Sequence, residues 1–115
     1  MLESQIQHPN LIWEITGGKP LYGRVKVSGS KNAGVKELMA SLLSREPVVL
    51  ENVPRILDVE VDIEIIRYLG AEVETEENKV RIEARDLTSY KVPPALSSRS
   101  RVALLAIPPL IHRKG

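Results

Sequence analysis

Apolar positions along the chain follow two different periods, and the switches between them divide it into elements. Val35, Leu38, Met39, Leu42 and Leu43 recur at the three- and four-residue spacing of one helical face, which predicts an amphipathic helix over 33–44. A second stripe, Val59, Ile63, Ile66 and Leu69 with Val61 and Ile65 alongside, predicts a helix over 58–69. Asp58 is placed to cap it, and Gly70 stands just past its end. Pro47-Val48-Val49-Leu50 is a short β-rich run ended by Asn52-Val53-Pro54. Two further β-like runs, 11–16 and 21–28, are separated by Gly17-Gly18-Lys19-Pro20, and the second alternates through Val25 and Val27. Alternation through Val73 and Thr75, then Val80 and Ile82, around Glu76-Glu77-Asn78 predicts a hairpin of 71–75 and 79–84. A loop rich in Pro and Ser over 89–98 leads to a third helical run, 99–111, which Pro108-Pro109 is expected to kink or end. Residues 1–10 carry no periodicity and read as a flexible leader.

The order over 22–86 is strand, helix, strand, helix, strand, strand, a βαβαββ unit, and 98–112 opens a further helix. Strands interleaved with helices place the chain in the α/β (α+β) class, with helices on one face of a sheet and a single partial domain over 11–115. Both helical stripes are broad and the third helix has no strands after it, so apolar faces lack partners within the chain. Self-association, or a complementing polypeptide, is the expected remedy.

Length and composition narrow this further. A chain of 115 residues, 43% hydrophobic and 27% charged, suits one compact domain and excludes a wholly disordered chain. Its net charge of +1 is too balanced for a general polyanion binder, so nucleic acid is not an expected partner. The absence of cysteine removes disulfides, Cys-ligated zinc and thiol nucleophiles, and the absence of Phe leaves an aliphatic core. The first ten residues lack the basic start and apolar stretch of a secretory signal, and the most apolar window, 102–111, is half the ~20 residues that a spanning helix requires. A cytoplasmic location without membrane contact is the expectation.

Two segments carry candidate chemistry. Val27-Ser28-Gly29-Ser30-Lys31-Asn32-Ala33 joins a β-like run to the clearest helix, so first-turn N–H groups lie beside the Lys31 ammonium and the Asn32 amide. That combination favours a phosphate or carboxylate, with Lys31 supplying most of the attraction because the dipole alone contributes only ~0.3–1 kcal/mol. A solvated helix start is the alternative, since the segment lacks the Walker spacing. In Ser97-Ser98-Arg99-Ser100-Arg101 a second helix start coincides with positive charge, and Arg101 in a first turn opposes the dipole unless something negative offsets it. A bound phosphate would do so, and a solvated basic turn is again the alternative. Glu72, Glu74, Glu76 and Glu77 read as a solvated hairpin face and His8 and His112 as isolated; Asp58 with Asp62 one turn later could suggest paired carboxylates, but capping and a helix-start charge account for Asp58.

Gly23-Arg24-Val25-Lys26-Val27-Ser28-Gly29-Ser30-Lys31-Asn32-Ala33, Glu46-Pro47-Val48, Glu51-Asn52-Val53-Pro54, Asp58-Val59, Leu69-Gly70-Ala71 and Ala84-Arg85-Asp86 occur in an order that resembles the N-terminal part of the enolpyruvyl transferase family. Lys31-Asn32, rather than Lys-Ser, points to the sugar-nucleotide branch over the shikimate branch. The resemblance implies two domains, each of three βαβαββ units in an inside-out α/β barrel, with the active site between them. It implies transfer of the enolpyruvyl group of phosphoenolpyruvate to the 3-hydroxyl of UDP-N-acetylglucosamine in peptidoglycan synthesis, without a cofactor or metal. It also implies that Lys31 and Asn32 face phosphoenolpyruvate and the sugar nucleotide and that Arg101, from the next repeat, contacts a phosphate of the sugar nucleotide.

The family's Pro-Gly-Gly-Cys loop and its catalytic Asp fall past Gly115, so no catalytic residue is assigned here and the isolated chain is expected to be inactive. Lys36, Leu105 and Pro108 depart from the family pattern, where a proline, an aromatic residue and a glycine are usual. The competing expectation is a catalytically inactive anion- or partner-binding module derived from the same fold.

Overall fold

A computed structural model describes residues 12–115. The expected leader over 1–10 lies outside them, as does Leu11 at the start of the first β-like run.

Helix α1 runs Lys31–Ala40 and tightens into a 3-10 turn, Ser41–Leu43. Ser30 caps it from an extended conformation, its Oγ accepting from the Ala33 N–H at 3.4 Å. Val35, Leu38, Met39 and Leu42 are buried as their spacing requires, but Leu43 is 48% exposed. A 3-10 turn advances each side chain by about 120° instead of 100°, which carries Leu43 off the stripe. Strand β1, Val48–Leu50, follows, and then helix α2, Leu57–Tyr68. All six predicted apolar positions of this second stripe are buried.

The helix begins before Asp58, with Ile56 in the cap position and no side-chain cap. Asp58 is thus a first-turn residue whose carboxylate is spent elsewhere. Gly70 ends the helix as expected: at φ 106° it lets its own N–H reach Arg67 O and that of Ala71 reach Ile66 O, the pair of bonds of a Schellman cap.

Strands β2, Glu72–Glu76, and β3, Lys79–Glu83, form the predicted hairpin in the register Glu76↔Lys79. The sheet order is β1-β3-β2 and every pairing is antiparallel. Val80 and Ile82 on β3 turn inward beneath the two helices, so the core lies between one sheet face and the α1/α2 pair. Mixed helices and strands in these layers make an α/β fold.

Residues 21–28 do not form the expected first strand. They are extended but unpaired, with Val25 91% and Val27 80% exposed. Alternation gives a strand one usable face, yet its N–H and C=O groups need a neighbouring strand, and none is available among the described residues. Residues 12–16 are unpaired for the same reason.

The expected helix over 98–112 is two pieces, a 3-10 segment, Arg101–Ala106, and α4, Ile107–Lys114, and the expected loop before it holds one short helix, α3, Pro94–Ser97. Pro108 and Pro109 open α4 instead of ending a helix, because first-turn positions have no intrahelical use for an N–H. The C-terminal pieces are tied down by Arg113, whose guanidinium donates to Leu42 O at 2.7 Å, Ser44 O at 3.1 Å, Ala84 O at 2.8 Å and Arg85 O at 2.9 Å.

Candidate functional site

The Ser28–Lys31 turn is fixed by a close backbone approach. A Cβ on Gly29 would meet Asn52 O at 1.9 Å, so only glycine lets the turn lie against the loop that follows β1. That contact sets where α1 starts and therefore where Lys31 sits. Across from it, Ser100 caps the 3-10 segment, its Oγ accepting from the Val102 N–H at 3.3 Å, and Arg101 is the segment's first residue.

Between these two starts lies a cleft of about 400 Å³ lined by Lys31, Asn32, Lys36, Asp58, Arg99 and Arg101, with Val35, Val102 and Leu105 as its apolar part. The residues singled out from the sequence, Lys31, Asn32 and Arg101, share it. Arg101 lines the cleft within the chain itself.

One carboxylate organises the cleft. Asp58 Oδ2 is ion-paired with the Lys31 ammonium, and Oδ1 accepts from Ser100 Oγ at 2.8 Å. These two bonds, Lys31 first and Ser100 second, hold the Asp58 carboxyl below its ordinary range. Lys31 is consequently a neutralised cation, not the dominant uncompensated charge that its position implied. Arg99 is likewise paired, with Glu64 at 3.0 Å. Lys36 and Arg101 have no ion-pair partner among the described residues and leave the cleft positive.

Reading along the chain assigned Asp58 to capping, marked Lys36 only as a departure from the family pattern, and named Arg99 and Ser100 in the second basic segment without giving either a role. Ser100 was accessible, because a serine before a helical run is a cap signal, but Ser97 and Ser98 compete for that role. Asp62 was read only as the neighbour of Asp58. Its side chain is fully buried one turn past Asp58, neither oxygen has a hydrogen-bond partner, and burial first, then the Asp58 charge, pushes its pKa up to about 7. Its spacing carried the signal: it stands three residues past Val59, four before Ile66 and seven before Leu69, on the buried stripe itself.

Among the described residues no three His, Cys, Asp or Glu side chains gather to hold a metal, and no helix is long and apolar enough to cross a membrane.

Fold and cleft together define an α/β unit that aims a helix start and two basic elements at one concavity. The sequence matches the family described as EPSP synthase (3-phosphoshikimate 1-carboxyvinyltransferase) over residues 15–115, and the chain belongs to that family of enolpyruvyl transferases. It is 41% identical over 107 residues to UDP-N-acetylglucosamine 1-carboxyvinyltransferase 1 of Legionella pneumophila (strain Lens), a match covering 90% of this chain and 21% of the relative. The UDP-N-acetylglucosamine 1-carboxyvinyltransferase of Thermotoga maritima is 41% identical over 101 residues, covering 88% of this chain and 24% of the relative. Its structure resembles the enolpyruvyl transferase NikO from Streptomyces tendae with a TM-score of 0.76 and 31% identity, over 86% of this chain and 23% of that one. The chain thus spans about a fifth to a quarter of the length of these relatives.

Proposed function

We propose that this chain is the N-terminal part of an enzyme that moves the enolpyruvyl group of phosphoenolpyruvate to the 3-hydroxyl of UDP-N-acetylglucosamine. The observation that carries the proposal is the meeting of Lys31, Asn32 and Arg101 in one positive cleft. In this reading residues 11–115 are part of a larger domain, 22–86 correspond to one repeat, and further units complete the cleft.

Addition of the sugar hydroxyl to phosphoenolpyruvate passes through an anionic tetrahedral intermediate, which then loses phosphate. Cations and N–H donors arranged in advance stabilise such a species. Lys31 with the first turn of α1 takes the phosphate or carboxylate of phosphoenolpyruvate, Asn32 orients it and also faces the sugar nucleotide through its amide, and Arg101 takes a phosphate of the sugar nucleotide. The relatives are supportive, since their names specify this sugar nucleotide.

Titration of the chain with phosphoenolpyruvate, followed calorimetrically, tests the site. Lys31→Ala is expected to weaken binding at least tenfold, the loss of a charged hydrogen bond of about 1.5–3 kcal/mol. Asn32→Ala is expected to affect the sugar nucleotide more than phosphoenolpyruvate. Unchanged affinity in Lys31→Ala, with unchanged thermal stability, would leave Lys31 a solvated helix-start residue and end this reading.

Self-association belongs to the same proposal. Leu21, Tyr22, Val25, Leu104 and Ile111 are each more than 60% exposed, which is more apolar surface than a free-standing unit normally leaves in water. Sedimentation at high micromolar concentration is expected to show a dimer or larger species, and a strict monomer would contradict it.

A further inference from the structure

Asp58 divides its two oxygens between two elements. Oδ2 takes the ammonium of Lys31, the first residue of α1, and Oδ1 takes the hydroxyl of Ser100, the cap of the segment that begins with Arg101. Ser100 is 7% exposed and is itself bonded to the Val102 N–H, so this link is part of the packed structure rather than a surface encounter. The opposite side of the turn gives Lys31 nothing comparable: residues 12–28 before it are exposed and unpaired. A lysine side chain has four rotatable bonds, and holding its ammonium at one place requires a partner.

We infer that Asp58 is a positioning residue, a joint that sets Lys31 and Arg101 at a fixed separation so that one anionic substrate meets both. The inference rests on the proposed anion site and says how that site is built. It makes a prediction whose sign is opposite to simple electrostatics. Removing a negative charge from the rim of an anion site raises affinity if the charge acts only through its field. Removing a joint lowers affinity, because the substrate must then order the cations itself.

Asp58→Asn separates the two cases, since it keeps the shape and a carbonyl acceptor for Ser100 while abolishing the ion pair. In calorimetric titrations of the chain with phosphoenolpyruvate, Asp58→Asn is expected to bind about tenfold more weakly. Ser100→Ala, which changes no charge, is expected to bind about threefold more weakly. Asp58→Ala combined with Ser100→Ala is expected to lose no more than Asp58→Ala alone, the non-additivity of residues acting through one link. The Lys31 ammonium should give a protected nitrogen resonance in the unaltered chain and lose it in Asp58→Asn, a signature that general loss of stability does not produce.

Equal or higher affinity in Asp58→Asn, while Lys31→Ala loses binding, overturns the joint and leaves the anion site standing. Unchanged affinity in both overturns the site and the joint together.

Discussion

Asp62→Ala is expected to stabilise the protein by about 2–4 kcal/mol at pH 8 and by almost nothing at pH 4. The carboxylate it removes is fully buried without a hydrogen-bond partner, and its pKa stands at about 7 against an ordinary 3.8. Three units at ~1.4 kcal/mol each set the upper end of that range, and the small void left by alanine trims it. The sign follows from proton binding. Between pH 4 and 7 the folded chain holds a proton on Asp62 that the unfolded chain has released, so stability declines through that window and is level above it. Asp58 acts in the other direction, since its lowered pKa contributes stability that is complete above the ordinary carboxylate range and lost as pH falls through the lowered value. The chain should therefore be most stable on the acid side of neutrality. Urea unfolding across pH 4–8 checks the Asp62 account, since the downward slope from pH 4 to 7 should vanish in Asp62→Ala and the same stabilisation at both ends would refute it; the Asp58 contribution is read by extending the series below pH 4.

Gly29→Ala is expected to cost about 1–3 kcal/mol and to abolish most phosphoenolpyruvate binding. The added methyl lies 1.9 Å from Asn52 O and 3.0 Å from Asn52 C, both backbone atoms of a loop whose Asn52 already holds φ at 57°. One strand of backbone must retreat. If residues 28–30 swing away, Ser30 ceases to cap α1 and Lys31 leaves Asp58. Gly17→Ala, where nothing lies within 4 Å, is the matched control and should change neither quantity. Unfolding and titration of the two variants side by side read out the difference, and a silent Gly29→Ala would show that the turn is not fixed by this contact.

Hydrophobic spacing revealed the helices, the hairpin and most of the core because each of those features is satisfied by neighbours nearby in sequence. Val59, Ile63 and Ile66 need only a sheet beneath them, and 71–84 supplies it within a few residues. The strand expected over 21–28 failed because alternation reports a face and not the presence of a ladder partner. The C-terminal helix broke where a local proline rule was right about the boundary and wrong about its direction. In the cleft, Lys31 and Asn32 were visible as a motif. Asp58 linking residues 31 and 100 was not, since the bond to Ser100 spans 42 positions and depends on how two helices and a 3-10 segment pack. Asp62 is the opposite case, since its place on the Val59–Ile66–Leu69 stripe marked it as inward-facing from local spacing alone.

The unpaired segment that carries Val25 and Val27 also carries Arg24 and Lys26, one cation on each step of its polar face. Stacking identical copies in register, as in a fibril, would set Arg24 over Arg24 and Lys26 over Lys26 at about 4.8 Å in every layer. Each repeat would add two like-charge contacts that water only partly screens. The same two residues do not obstruct an antiparallel or dissimilar neighbour that brings carboxylates to that face. Charge thus acts here as a gatekeeper: the edge stays open to a complementary strand while runaway polymerisation of its own kind is discouraged.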